Sequence, residues 1–291
     1  MARHRCVRRR IARAAAAVCA AVLLSAPSAQ ERRPPSLVAR MHAYLDAYEV
    51  ELSALIADEA FVQRTSFTSE YGNSRVSERR QLVSEVGFLR LPGGLAWLGQ
   101  RSVQRVDGRL VRSEADHLDQ AFATAGPNLF ARARAIADAN AQYNLGHPRS
   151  LNLPTLPLDL LGRRRAAGFV TTLQGTTSIA GHRTTRLLLN EHPPGGIIAS
   201  DDGLFVRADV RAWVRDDGAV LRAHVTLHAP AGRGRHEVRV DFRDEPDLGL
   251  LVPVRLSETY DGRPSGEGVA TYTRFRRFTT SGRLVPPPPI R

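Results

Sequence analysis

The chain is 291 residues long, 43% hydrophobic and 24% charged, with a formal net charge of +12. That length and balance leave enough apolar material for a sizeable core. Both cysteines, Cys6 and Cys19, fall in an N-terminal leader, so disulfides, thiolate metal sites and cysteine nucleophiles are excluded from the remainder.

Residues 1–29 read as a signal peptide. Arg3, Arg5, Arg8, Arg9, Arg10 and Arg13 form a basic n-region, Ala14 to Leu24 form an apolar run too short to anchor, and SAPSA closes the segment at Ala29. Removing those six arginines leaves 35 basic and 29 acidic residues, a net charge of +6, with arginine as the only basic residue besides histidine. An exported protein of that charge is not expected to meet nucleic acid. No later apolar run is long enough to cross a bilayer as a helix.

Residues 30–283 are expected to form one α+β domain, with a helical insert at about 126–162 and a proline-rich tail at 284–291. Pro34-Pro35-Ser36 signals a helix start. Leu37, Met41, Leu45, Tyr48, Leu52 and Leu55 then recur at spacings of three and four, which predicts a helix of about 22 residues ending near Asp58. AFVQRTSFT (60–68), QLVSEVGFLRL (81–91) and LAWLGQRSVQRV (95–106) read as strands, with Asp107-Gly108 as a tight turn. A second helix starts at Gly126-Pro127, carries Leu129, Ala133, Ile136 and Tyr143, and stops at Asn144-Leu145-Gly146. PTLPLDLL (154–161) reads as a short helix or buried loop. From Gly168 onward the pattern is nearly all β, giving about ten antiparallel strands in hairpin order under two or three helices.

Alternation assigns faces to the later strands. Val206, Ala208, Val210, Ala212 and Val214 share one face, as do Leu221, Ala223, Val225 and Leu227, then Val238, Val240 and Phe242. Opposite them stand Arg207, Asp209, Arg211, Trp213, Arg215, Arg222, His224, Arg239 and Asp241. A sheet with one apolar and one charged face is wet on one side only. The apolar row either packs against the helices or holds a ligand. The charged face, at Arg211, Trp213 and Arg222, is the candidate partner surface.

Chemical motifs are sparse. His224 and His228 are separated by four strand residues, about 13 Å at ~3.3 Å each, too far to share a metal; His236 is expected opposite His228 across the next hairpin. Asp201-Asp202, Asp216-Asp217 and Asp244-Glu245 stand beside glycine or proline, where acids cap turns. The basic clusters Arg163-Arg164-Arg165 and Arg274/Arg276-Arg277 read as solvated, or as contacts to an anionic surface. No nucleophile elbow, zinc-protease helix, phosphate loop or dinucleotide fingerprint is present, and no catalytic residue, metal or cofactor is expected.

The hairpin WVRDDGAVLRAHV, followed by VRVDFRDEPDLGLLVPVRLSETY with Phe242, Asp244, Gly249 and Pro253, resembles the outer-membrane lipoprotein carrier (LolA/LolB-like) superfamily over roughly residues 168–279. The segments Tyr143–Gly146 and Asn152–Thr155 are also similar to exported bacterial proteins sharing a YNLG…NLPT pattern. The carrier resemblance implies a curled half-barrel whose apolar face, beneath the helices, holds acyl chains. The leading expectation is therefore a periplasmic, non-enzymatic protein binding a lipid-like ligand on Val206, Val210, Val214, Leu221, Val225, Leu227, Val238, Val240 and Phe242. An envelope protein–protein interaction module and a hydrolase without a recognisable motif stand as the alternatives.

Overall fold

A computed structural model describes residues 35–53, 55–68, 75–90, 97–111, 118, 129–146, 152–192, 198–199, 205–228, 234–261 and 264–277. The leader, the tail and Asp201-Asp202 lie outside the described residues. Helix α1 spans Leu37–Leu52, and the Ser36 hydroxyl accepts from the Ala39 amide at 3.2 Å, capping one of the free donors of its first turn. The helix is shorter than the stripe predicts. Leu55, the last member of that stripe, instead opens strand β1 (Leu55–Thr68), which is hydrogen-bonded on both sides. β12 pairs with Leu55, Ile56 and Asp58 and β2 with Ile56, Ala57 and Asp58, and that pairing overrides the helical spacing.

Strands β2 (Arg75–Arg90), β3 (Trp97–Val106) and β4 (Arg109–Leu110) follow as antiparallel neighbours. The β3–β4 turn sets Asp107 at φ 50° and Gly108 at φ 81°, the paired left-handed geometry of a type I′ hairpin. Helix α2 (Leu129–Ala141) and helix α3 (Thr155–Leu161) form the insert, and a 3₁₀ turn at Arg163–Gly168 leads back into the sheet. Then come β5 (Phe169–Ile179), β6 (His182–Glu191), the two-residue β7 (Ile198–Ala199), β8 (Phe205–Val214), β9 (Val220–His228), β10 (Arg235–Glu245), β11 (Leu250–Tyr260) and β12 (Ser265–Arg277).

The sheet order is β4-β3-β2-β1-β12-β11-β10-β9-β8-β6-β5, with β7 attached to β8. Hairpin order holds within two arms, but the arms meet where the first strand pairs with the last. In a flat sheet β3 and β9 would lie about 29 Å apart, six strand spacings of ~4.8 Å. The seven residues of α3, about 10 Å of helix, nevertheless touch β3, β8 and β9. The sheet therefore curls around its helices and remains open at β4 and β5. The architecture is α+β, a curled antiparallel sheet.

The inner face buries the core. Met41, Leu45, Tyr48 and Leu52 of α1 and Leu158, Leu160 and Leu161 of α3 join one cluster with the inward rows of β1–β3, β6 and β8–β12. Among the described residues no helix is long and apolar enough to cross a membrane.

Candidate functional site

Two surfaces of different chemistry share the inner face. The first is an apolar wall. On β8 the inward residues are Ala208, Val210, Ala212 and Val214; on β9, Leu221, Ala223, Val225 and Leu227; on β10, Val238, Val240 and Phe242. All of these are buried, and Val206 is partly buried against the same cluster. Every member of the expected row thus points inward, toward α1 and α3, because antiparallel register keeps Val210, Val225 and Val238 on one side.

The cover over this wall is held largely through its own members. Arg163 pairs with Asp46 at 3.1 Å, Arg164 with Glu49 at 3.2 Å, and Arg165 with Asp159 at 3.3 Å. The 163–165 arginines are therefore a clasp between α1, α3 and the 3₁₀ turn, not a free basic patch. Arg274, Arg276 and Arg277 are likewise engaged, by Asp58, Asp58 with Glu85, and Glu51. From α1 to the sheet, Tyr48 Oη donates to the Leu251 carbonyl at 2.7 Å, and burial raises the Tyr48 pKa well above its ordinary value. The Arg40 Nε donates to the Asp216 carbonyl at 2.5 Å. Beside it Gly218, at φ 95°, lies so close to the α1 backbone that any Cβ would collide with the Arg40 carbonyl. The Asp216-Asp217-Gly218 turn is thus a docking point for α1. Asp217 shapes the turn by accepting from the Ala219 amide at 3.0 Å, and it pairs with Arg215 at 2.8 Å.

The second surface is a polar seam across β3, β1, β11 and β10. Glu59, 1% exposed, receives Arg101 Nε at 2.5 Å and Nη2 at 2.8 Å. Arg101, 6% exposed, also donates to the Asn152 side chain at 3.0 Å and its carbonyl at 2.9 Å, and stacks over Phe61 at 4.8 Å. Desolvation would lower the Arg101 pKa, but the Glu59 charge and hydrogen bonds outweigh it and the net shift is upward. Asn152 Nδ2 donates to Asn144 at 3.1 Å and to Glu258 Oε1 at 3.4 Å; the other Glu258 oxygen meets His236 Nε2 at 3.2 Å. Tyr260 Oη donates to the Leu145 carbonyl at 3.0 Å, and the Leu145 amide donates to Gln63 at 3.0 Å. The seam therefore ties the YNLG and NLPT segments to the sheet. Both oxygens of Glu59 and of Glu258 accept hydrogen bonds from within the protein.

Periodicity contained a signal for this seam that the reading by apolar rows passed over. Glu59, Phe61 and Gln63 share a parity, as do Arg101 and Val103, so acids and amides stand in core positions. The histidines divide between faces. His236 pairs in register with Leu227, not His228, and points inward. His228 meets Asp209 at 2.8 Å and His224 meets Glu237 at 3.3 Å on the outer face. Among the described residues no cluster suited to a metal exists.

On that outer face charges pair both along and across strands. Arg207 reaches Asp209 at 3.1 Å, Arg239 reaches Asp241 at 3.2 Å, and Arg222 joins the same Asp241 while lying 5.7 Å over the Trp213 ring. Arg211 is exposed and stands in register with His224. Burial lowers the His224 pKa, Glu237 opposes that, and Arg211 and Arg239 add to it.

No protein-family profile matches the chain, and no curated protein matches it. In structure it resembles a domain assigned to outer membrane lipoprotein sorting from Vibrio parahaemolyticus (TM-score 0.41, 9% identity, covering 84% of this chain and 93% of that one). It also resembles a DUF1329 family protein from Desulfovibrio piger (0.38, 12%, 81% and 90%) and a LolA superfamily protein from Nitrosomonas europaea (0.30, 11%, 82% and 93%).

Proposed function

We propose that the protein is an exported, non-enzymatic binder of an acyl-chain-like ligand, which enters between α1 and the apolar wall of β8–β10. The observation that carries this reading is the wall itself: eleven buried inward residues on three successive strands, from Ala208 through Phe242, without one polar side chain. Its cover is a helix pair clasped to itself by arginine–carboxylate pairs at its rim. Such a cover separates from the wall by exchanging one apolar contact for another as an alkyl chain takes its place, giving up the Tyr48–Leu251 and Arg40–Asp216 hydrogen bonds as α1 lifts. Export follows from residues 1–29, and mature protein beginning near Gln30 is the expected product.

The test is organic extraction of purified protein followed by mass spectrometry, with a fluorescent fatty acid as probe. Co-purifying lipid is expected, and Val210→Arg or Val225→Arg abolishes probe binding in protein that retains its β-sheet spectrum. Each methylene contributes about 0.8 kcal/mol, so shortening the probe by two carbons weakens binding roughly tenfold. Absence of extractable lipid together with no probe binding overturns the proposal.

A further inference from the structure

The two open edges of the sheet differ sharply. One ends in β4, two residues long and carrying Arg109. The other ends in β5, eleven residues reading FVTTLQGTTSI. Among the described residues β5 is the only strand longer than two residues with no charged side chain or histidine, in a chain that is 24% charged. Among the described strands it is paired on one side only, with β6, and it is exposed on both faces: Val170 is 48% and Leu173 57% accessible. A bulge at Gly175, φ 53°, interrupts the ladder to β6 and leaves Phe169–Gln174 as a regular six-residue run. Long, neutral edges rich in threonine and β-branched residues pair with other strands, and proteins ordinarily blunt them with charge, proline or brevity. β4 is blunted in this way and β5 is not.

We propose that β5 is a homodimerisation edge, pairing antiparallel with β5 of a second copy about a two-fold axis perpendicular to the sheet. Charge selects the occupant. β5 offers no charge to attract or orient an acidic or basic partner strand, whereas its own copy brings only Phe, Val, Thr, Leu and Gln against it in every register of 169–174. On the neighbouring strand β6 the exposed cations Arg183 and Arg186 sit one strand back. In the dimer they face their copies across three strand spacings, about 14 Å, beyond the ~8 Å screening length at physiological salt. Of the two open edges only β5 is unblunted among the described strands, so pairing through it closes at two rather than growing into a fibre. In the register centred on Thr172, that residue stands beside its own copy, a Thr–Thr pair that stabilises antiparallel strands, with Thr171 beside Leu173 of the copy.

Analytical ultracentrifugation of the purified protein over a micromolar concentration series tests this, with hydrogen exchange of the β5 amides as the local readout. The wild type is expected to sediment as a dimer at the upper end, with β5 amides protected there and exchanging rapidly on dilution. Leu173→Arg, and independently Thr172→Arg on the opposite face of the strand, are expected to raise the dimer dissociation constant roughly tenfold or more with thermal stability unchanged. Leu110→Arg, on the blunt edge, leaves association as in the wild type. A wild type that stays monomeric, β5 amides that never gain protection, or a dimer indifferent to both arginine variants overturns the proposal.

Discussion

The apolar wall and the polar seam lie on the same face of the same sheet and are built by opposite physics. The wall of β8–β10 is non-directional: Val210, Val225 and Val238 gain from any close apolar neighbour, whether helix or ligand. The seam is directional. Arg101 reaches Glu59 and Asn152 through three different nitrogens, and Asn152 must be placed to reach Arg101, Asn144 and Glu258 together. Apolar packing tolerates substitution and repacking, whereas a half-broken buried ion network does not. The molecule therefore combines a cover, α1 with α3, that meets the sheet largely through apolar side chains, and a segment fixed by polar contacts, residues 140–146 and 152–155.

The largest effect should come from breaking the seam on one side. Arg101→Met leaves Glu59 buried without its partner and is expected to cost about 4 kcal/mol in urea denaturation, while Glu59→Leu combined with Arg101→Met recovers most of it. If the single and double variants are equally unstable, the directional picture of the seam fails. On the wall, Leu45→Ala removes an α1 side chain from the cluster and is expected to cost about 3 kcal/mol, whereas Val225→Leu costs less than about 1.5 kcal/mol. A Val225→Leu penalty as large as that of Leu45→Ala would mean that the wall is as rigidly specified as the seam.

Gly218→Ala tests the junction of the two regimes. A methyl at φ 95° against the Arg40 carbonyl lifts α1 and is expected to cost about 2 kcal/mol while increasing probe uptake by the wall. Equal destabilisation with unchanged uptake would separate the turn from the cover. The smallest effect belongs to the outer face. Burial holds the His224 pKa below 6.5, so folding favours the neutral ring. Its contribution is complete above pH 6.5 and declines as pH falls from there toward the folded-state pKa, because the unfolded chain binds the proton more readily. His224→Gln should flatten the stability–pH slope in that window; an unchanged slope refutes the assignment.

The sequence made the wall legible and left the seam hidden, for a physical reason. A wall residue needs only its own strand's period-2 pattern to reveal its face. A seam residue acquires meaning through partners 42, 51 and 106 positions away, as Glu59, Arg101, Asn152 and Glu258 do. Those distances are set by sheet order, which hairpin reasoning supplies within each arm but not across the β1–β12 join. The same limit explains helix α1. Its stripe ran on to Leu55 because periodicity cannot report that two strands wait on either side of residues 55–58. The arginine clusters also changed meaning, since Asp46 and Glu49, the partners of Arg163 and Arg164, lie more than a hundred residues earlier.

The pairing of β1 with β12 also sets a timetable. On the edge away from β2, Leu55 to Ser66 find their partners only at residues 265–277, so the join between the two arms stays unmade until nearly the whole chain is available. Contacts of such long range close slowly. A ribosome, or a translocation channel threading the chain from its N-terminus, would release two incomplete arms well before they could lock together. A chain shortened before Ser265 would retain its hairpins and lose the strand that makes them one sheet.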